Sequence, residues 1–371
     1  MEPINFKTKI LIEDCESCEL ATYEYESILV ICDPFLVSHA RISSLLKKLK
    51  RNNRVSVFSD IVPDPTLELI GKGLSVLVQN PPTIILSIGG GSAIDTAKAM
   101  IYFAKQQNLI DEFKFIAIPT TSGTGSEVTM VTVVTDMESQ VKHVISHHDL
   151  LPDLAILDAN LTLSVPPHLT AYTGIDVMTH ALEAYVATNA SAYSDALAEK
   201  ALELSFKFLP LCFTQGTHLE ARLELLIASN LAGMAFNSAG LGLSHSMAHQ
   251  LGGKFKIPHG LANAIVLEQV IDFNIKNELV LKKYANLARK LGLANQGDRD
   301  DFAVTLLKLY FKTLKKIMKL PQNLRECHIS EVYFQDQIVD LTTHTLKDFC
   351  LKTNPVGITE NEIKEIFHKI Y

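Results

Sequence analysis

A single change of hydrophobic period divides this chain. Before Pro166–Pro167, short apolar runs alternate with segments of helical spacing; after it, nearly every segment is helical in pattern. The strand-type runs are "SILVICD" (27–33), "VSVFSD" (55–60), "TIILSIGGGS" (83–92) and "KFIAIPTT" (114–121). Between them lie "LVSHARISSLLKKLK", "PTLELIGKGLSVLVQN" and "SAIDTAKAMIYFAKQ", whose apolar residues recur at helical intervals. Strands separated by helices pair in parallel, because the chain must cross back over the sheet before each new strand. The later segments, such as "SDALAEKALELSFKFL" and "FAVTLLKLYFKTLKKIM", hold only the 3.6-residue period. The pattern predicts an α/β nucleotide-binding domain over residues 1–162 and an all-α domain over residues 163–371. A chain of 371 residues is long enough for two such cores.

Charge narrows the partners. The net charge is −7 with acidic and basic residues interspersed, which argues against a nucleic-acid footprint. The N-terminal "MEPINFKTKILIED" has no basic region followed by an apolar run, so no secretory leader is expected. No apolar run approaches the roughly 20 residues that span a bilayer. The expectation is a cytoplasmic protein. Cys15 and Cys18 form a C-x-x-C, but no second pair follows, so they read as free thiols in a reducing compartment.

The helical half carries the sharpest chemical signal. Asp176 and His180 stand at i, i+4 in "GIDVMTHALEAY", and His245 and His249 repeat that spacing in "SHSMAHQLGGKFKIPHG", which runs on to His259. Residues four apart share a helix face. A glycine-rich bend would bring His259 back toward them. Three imidazoles and a carboxylate suit Fe(II), Zn(II) or another borderline divalent metal rather than Mg or Ca. The plain alternative is a set of core histidines and a surface pair. Five such residues in two apolar stretches favour the metal, since buried ionisable groups are costly unless paired or coordinated. Asp176, His180, His245 and His259 are the expected ligands. His249 is the expected catalytic residue, with orientation of a ligand as its alternative role.

The α/β half carries a phosphate signal. Gly89-Gly90-Gly91-Ser92 closes a strand and opens a helix, where glycines admit a pyrophosphate to the unpaired N–H groups and positive dipole end. A tight turn alone would also want glycine. The hydroxyl- and glycine-rich "PTTSGTGSEVT" (119–129) follows a buried strand and can bond phosphate or ribose. Asp33, at the end of the first strand, can accept both hydroxyls of an adenosine ribose and repel a 2′-phosphate, which favours NAD over NADP.

The strings "GGGSAIDTAKAM", "IPTTSGTGSEVT", "TGIDVMTHALEAY" and "GLSHSMAHQLGGKFKIPHGLANAI" resemble, in their order along the chain, the signatures of iron-containing (group III) alcohol dehydrogenases. The likeness runs from about residue 7 to the terminal "TNPVGITENEI". "CDPFLV", "TSGTGSEVT", "HALEAYV" with "DALAEKA", and "AHQLGG" are most similar to the 1-propanol dehydrogenases of propanediol-utilisation microcompartments. The resemblance implies the dehydroquinate synthase-like fold and NAD(H)-linked exchange between a short primary alcohol and its aldehyde. The bound metal would polarise the oxygen and the nicotinamide would exchange the hydride.

By that resemblance Gly90, Gly91 and Ser92 contact the pyrophosphate, and Thr120, Thr121, Thr124 and Thr129 line the nicotinamide side. Asp64 lies near the adenine and Lys142 reaches the nicotinamide ribose. Val131, Val133, Phe236 and Cys350 fall at substrate-pocket positions. In related lactaldehyde reductases an Asn stands where this chain has Val131. The resemblance further implies a homodimer or larger assembly, with microcompartment enzymes or shell proteins as neighbours. Ethanol, butanol or lactaldehyde dehydrogenases, a metal- and NAD-dependent lyase on the same fold, and an inert scaffold are the rival readings. The lyase needs a strongly basic pocket. Between Asp176 and His259 the only Lys and Arg residues are Lys200, Lys207, Arg222, Lys254 and Lys256, mostly on surface-type helix patterns. The complete ligand set argues against a scaffold.

Overall fold

The computed structural model describes residues 6–63, 65–110, 112–138 and 141–371. Asp64, one of the expected cofactor residues, lies outside the described residues. Contacts divide the chain into two compact units, one of Pro3–Val165 with Thr217–Gly233, the other of Pro166–Gly216 with Met234–Tyr371.

The first unit is built on strands β1 (Lys9–Leu11), β2 (Ser27–Cys32), β3 (Arg54–Phe58), β4 (Ile84–Gly89), β5 (Lys114–Pro119) and β8 (Leu154–Ile156). Among the described residues they form one parallel sheet in the order β1-β8-β5-β4-β2-β3. Strands β6 (Val131–Asp136) and β7 (Val141–Ser146) make a separate antiparallel hairpin. Helices α1 (Pro34–Val37), α2 (Ala40–Leu49), α3 (Leu67–Gln79) and α4 (Gly91–Gln106) connect the strands. The central strands are apolar throughout because both sheet faces are covered. Ile28, Val30, Leu86 and Ile116 pack with α2 on one side, and Leu29, Ile31, Ile85 and Phe115 pack with α3 and α4 on the other. Buried Cys15 and Cys18 belong to the first of these clusters, and no disulfide forms among the described residues.

From β2 the chain steps to β3 on one side, then crosses to β4 on the other. The strand order therefore reverses between β2 and β4, and such a switch point leaves a crevice beyond the carboxyl ends of those strands. Three-residue β1 and β8 complete the sheet without enough length to show a pattern in sequence.

The second unit is helical: α5 (Pro167–Val186), α6 (Ala192–Thr214), the end of α7 (Leu219–Ala239), α8 (Leu243–Phe255), α9 (His259–Asn274), α10 (Glu278–Lys290), α11 (Asp300–Ile317), α12 (Glu331–Lys347) and α13 (Glu360–Ile370). Pro167 starts α5, where proline's missing N–H costs nothing. Most of α5 beyond its first turn is buried, so it is a central helix. Among the described residues no single helix is long and apolar enough to cross a membrane.

The division differs from the expected 162/163 in two respects. Residues 163–165 stay with the first unit, where the Arg222 guanidinium donates to the Val165 carbonyl at 2.9 Å. Residues 217–233 are helical yet pack into the α/β unit, through Asn230 Nδ2 donating to Glu127 at 2.9 Å and the close approach of Gly233 to Gly125. Periodicity reports that a segment is helical, and not which core it joins.

Candidate functional site

Helix α5 presents Asp176 and His180 from adjacent turns, α8 presents His245, and His259 is the first residue of α9. One ligand atom from each of these four lies within 4.8 Å of every other. Asp176 Oδ1 is 3.8 Å from His245 Nε2 and 3.5 Å from His259 Nε2. Ligands about 2.1 Å from a shared ion in a tetrahedral array stand about 3.4 Å apart, so the cluster has the size of a metal site. Asp176, His180 and His245 are buried, and His259 is partly open.

His245 provides the test of fit. Its Nδ1 meets Glu183 Oε2 at 2.5 Å, and its buried Nε2 has no hydrogen-bond partner. Burial holds the imidazole well below its ordinary pKa, so the ring is neutral. A buried, unpaired imidazole nitrogen costs free energy. A divalent ion at Nε2 removes that cost, and the donor set of three imidazoles and a carboxylate matches it.

The turn that delivers His259 differs from the expected one. Gly252 and Gly253 lie inside α8, which continues to Phe255. Lys256 in the left-handed conformation (φ 58°) and then Pro258 make the reversal. Helix α9 then packs so near α5 that a Cβ on Gly260 would sit 2.1 Å from the Tyr172 carbonyl oxygen.

His249 falls outside the four-ligand cluster. Its Nδ1 is 2.9 Å from Asp348 Oδ2, and its ring stacks on His259 with centroids 5.4 Å apart. Phe236 stacks on His180 at 4.6 Å, and Cys350 is buried in the 3-10 turn Phe349–Thr353, its N–H donating to Asp348 Oδ1. Val131 and Val133 lie in the other unit, on the half-buried face of β6, while Thr132 and Val134 face inward.

Three polar residues at this centre escaped the sequence analysis. Buried Glu183 accepts the Ser244 N–H at 2.6 Å as well as meeting His245, and burial pushes its carboxyl up to about 7. Asn263 donates to Asp176 Oδ1 at 2.8 Å and accepts from Ser244 Oγ at 3.1 Å. Asp348 holds His249. Glu183 lies two turns beyond Asp176 on one helix face, and Asn263 lies one turn beyond His259, so both spacings carried a signal.

In the α/β unit, β4 runs through Gly90 into α4. Asp33 caps α1 just past β2, and the Gly90 N–H donates to its Oδ2 at 3.3 Å. The crevice between β2 and β4 thus has a carboxylate on one strand end and a helix N-terminus on the other. A Cβ on Gly91 would come within 2.6 Å of Thr124, so the loop after β5 closes onto this turn. Thr121 approaches Gly90, and the Thr120 N–H donates to the Gly89 carbonyl. Ser122 Oγ in that loop is buried without a hydrogen-bond partner, a polar lining that fits a phosphate or ribose. Ser92 lies half-buried in the first turn of α4. Thr129 is buried and its hydroxyl accepts from Lys98 Nζ, so it supports the loop from within. Lys142 pairs with Thr135 in the hairpin, and its side chain lies outside the described residues.

Residues 14–159 match the iron-containing alcohol dehydrogenase family, and residues 170–371 match that family's C-terminal domain. The chain belongs to the iron-containing alcohol dehydrogenases. It is 42% identical over 343 residues to the 1-propanol dehydrogenase PduQ of Citrobacter freundii, covering 92% of each chain. It is 39% identical to an NADPH-dependent butanol dehydrogenase of Clostridium saccharobutylicum, covering 85% of this chain and 84% of that one. A 1,3-propanediol oxidoreductase has the same fold, with TM-score 0.90 and 32% identity over the whole of both chains. So does a sulfoacetaldehyde reductase of Bifidobacterium kashiwanohense in complex with NAD+, with TM-score 0.87, 27% identity, and 100% and 98% coverage. Family membership makes this an oxidoreductase of alcohols and aldehydes and removes the scaffold reading.

Proposed function

We propose that this dehydrogenase reduces short unbranched aldehydes with NADH, with propanal to 1-propanol as the leading case. The observation that carries the chemistry is the buried Asp176–His180–His245–His259 cluster around an unpartnered imidazole nitrogen. A divalent ion held there supplies Lewis acidity toward the substrate oxygen, and NAD(H) at the β4–α4 turn supplies the hydride chemistry. The protein's part is binding and placement. Glu183 fixes the His245 ring through Nδ1. Asp348 takes Nδ1 of His249, leaving Nε2 to move a proton between the substrate oxygen and solvent.

By the family resemblance alone, substrate choice is assigned to Val131, Val133, Phe236 and Cys350, each apolar or weakly polar. Valine at 131 can neither donate nor accept. A 2-hydroxyaldehyde would bury an unpaired hydroxyl at about 1–3 kcal/mol, a tenfold to hundredfold preference for the plain aldehyde. Cofactor choice is assigned to Asp33, whose carboxylate repels a 2′-phosphate. A relative 39% identical is NADPH-dependent by name, so family membership alone does not set this preference. From the family resemblance of the sequence we further propose a homodimer or larger in the bacterial cytoplasm, inside a microcompartment, returning NAD to an aldehyde-oxidising partner.

The test is kcat/KM on iron-loaded enzyme for propanal and lactaldehyde, each with NADH and NADPH. Propanal with NADH should lead by at least about tenfold on both axes. Equal use of lactaldehyde removes Val131 as the discriminator, and equal use of NADPH removes Asp33.

A further inference from the structure

Asp95 and Lys98 stand three residues apart on α4, the helix that starts at the glycine turn. Both reach across to the segment that follows β5. Ser126 Oγ donates to Asp95 Oδ1 at 2.7 Å, the Val133 N–H donates to Asp95 Oδ2 at 3.4 Å, and Thr132 Oγ1 donates to the Asp95 carbonyl at 2.9 Å. Lys98 Nζ donates to Thr129 Oγ1 and to the Val131 carbonyl, each at 2.9 Å. Lys98 is 0% exposed. Burial pushes its ammonium down to about 8, opposed by the Asp95 and Glu127 carboxylates.

A fully buried lysine is an expensive way to fill a helix face, since an apolar side chain of similar volume packs there without desolvating a charge. What the apolar side chain lacks is a donor for the Val131 carbonyl. Lys98 and Asp95 together clamp residues 126–133 onto α4, while Gly90 and Gly91 receive Thr121 and Thr124 one to two turns earlier. The loop is thus held at two separate places on one helix.

We propose that Asp95 and Lys98 are positioning residues that set the loop lining the nicotinamide end of the cofactor against the helix that binds its pyrophosphate. The inference rests on the cofactor reading above. It separates the dinucleotide into two parts. The adenosine and pyrophosphate depend on Asp33, Gly90 and the α4 N-terminus, one to two helical turns before the pair. The nicotinamide end depends on residues 120–133, of which the pair holds residues 126–133.

The experiment compares binding of NADH and ADP-ribose, which lacks the nicotinamide, to full-length metal-loaded enzyme. Lys98→Met keeps the volume and removes the donor. Asp95→Asn keeps the shape and replaces one acceptor, and it carries the test if Lys98→Met does not fold. Both variants should weaken NADH at least about tenfold, the loss of a buried charged hydrogen bond, and leave ADP-ribose within about twofold. Unchanged NADH binding overturns the proposal, as does an equal loss of both ligands, which would report general damage to the unit. Wild-type enzyme that binds neither ligand overturns the cofactor reading and this proposal with it.

Discussion

Two carboxylates lie two turns apart on α5 and do different work. Asp176 faces the imidazole nitrogens of His245 and His259, while Glu183 holds the far nitrogen of His245. Glu183 accepts two N–H groups, from Ser244 and His245. Glutamine can accept only one of them and turns a second donor toward the other. Glu183→Gln should therefore lower Zn(II) or Fe(II) affinity about 10- to 100-fold, the usual cost of losing a group that orients a metal-bound histidine. His245→Ala, which removes a donor from the cluster, should cost more. Competition with a graded series of chelators measures both, and full affinity in Glu183→Gln would end the orienting role. At this scale the sequence shows residues that repeat a spacing. Asp176 and His180 announce themselves at i, i+4, and so do His245 and His249. Glu183, the sole glutamate of α5, stands seven residues beyond Asp176, a spacing that carried a signal, whereas Asp348 reaches His249 from 99 positions away, which no local pattern encodes.

Helices α5, α8 and α9 fix those side chains, and the backbones of α5 and α9 come close together at Gly260. A Cβ there would lie 2.1 Å from a main-chain oxygen of α5, which cannot rotate away. Gly260→Ala should push α9 off α5 and carry its neighbour His259 with it. The expected loss is about 1–3 kcal/mol of stability, as for other overpacked cores, with metal affinity down at least tenfold. Gly253→Ala is the control. It lies inside α8 with nothing within 4 Å of a Cβ, so it should hold metal normally and gain up to about 1 kcal/mol. Denaturant midpoints and metal titration of the two variants decide the matter, and normal metal binding by Gly260→Ala would show that α9 can shift without moving His259. The bend before His259 shows the limit of element reading. Two adjacent glycines look like a turn, but α8 keeps both because its packing outweighs their low helix propensity, and the chain reverses at Lys256 instead.

For the whole chain, the order of an α/β part followed by a helical part was legible from the switch of period at Pro166–Pro167. The membership of residues 217–233 was not, because it rests on contacts such as Asn230 with Glu127 rather than on any local pattern. The two-unit division makes a prediction about where each ligand acts. A metal that binds only the folded state stabilises it by RT ln(1 + [M]/Kd), about 4 kcal/mol at a thousandfold excess over Kd. Its candidate donors all lie in the Pro166–Gly216 and Met234–Tyr371 unit. NADH, on the reading above, acts on the β4–α4 turn and residues 120–129 of the other unit. Hydrogen exchange should therefore respond in two places. Chelation should raise exchange in α5, α8 and the start of α9, with β2, β4 and β5 changing little. NADH added to the metal-free enzyme should slow exchange at residues 89–92 and 120–129, because the dinucleotide turn needs no metal donor to form. His259→Ala should make the first response disappear and leave the second. If chelation loosens both units to the same extent, metal stability is shared through the whole chain and the assignment of each ligand to its own unit fails.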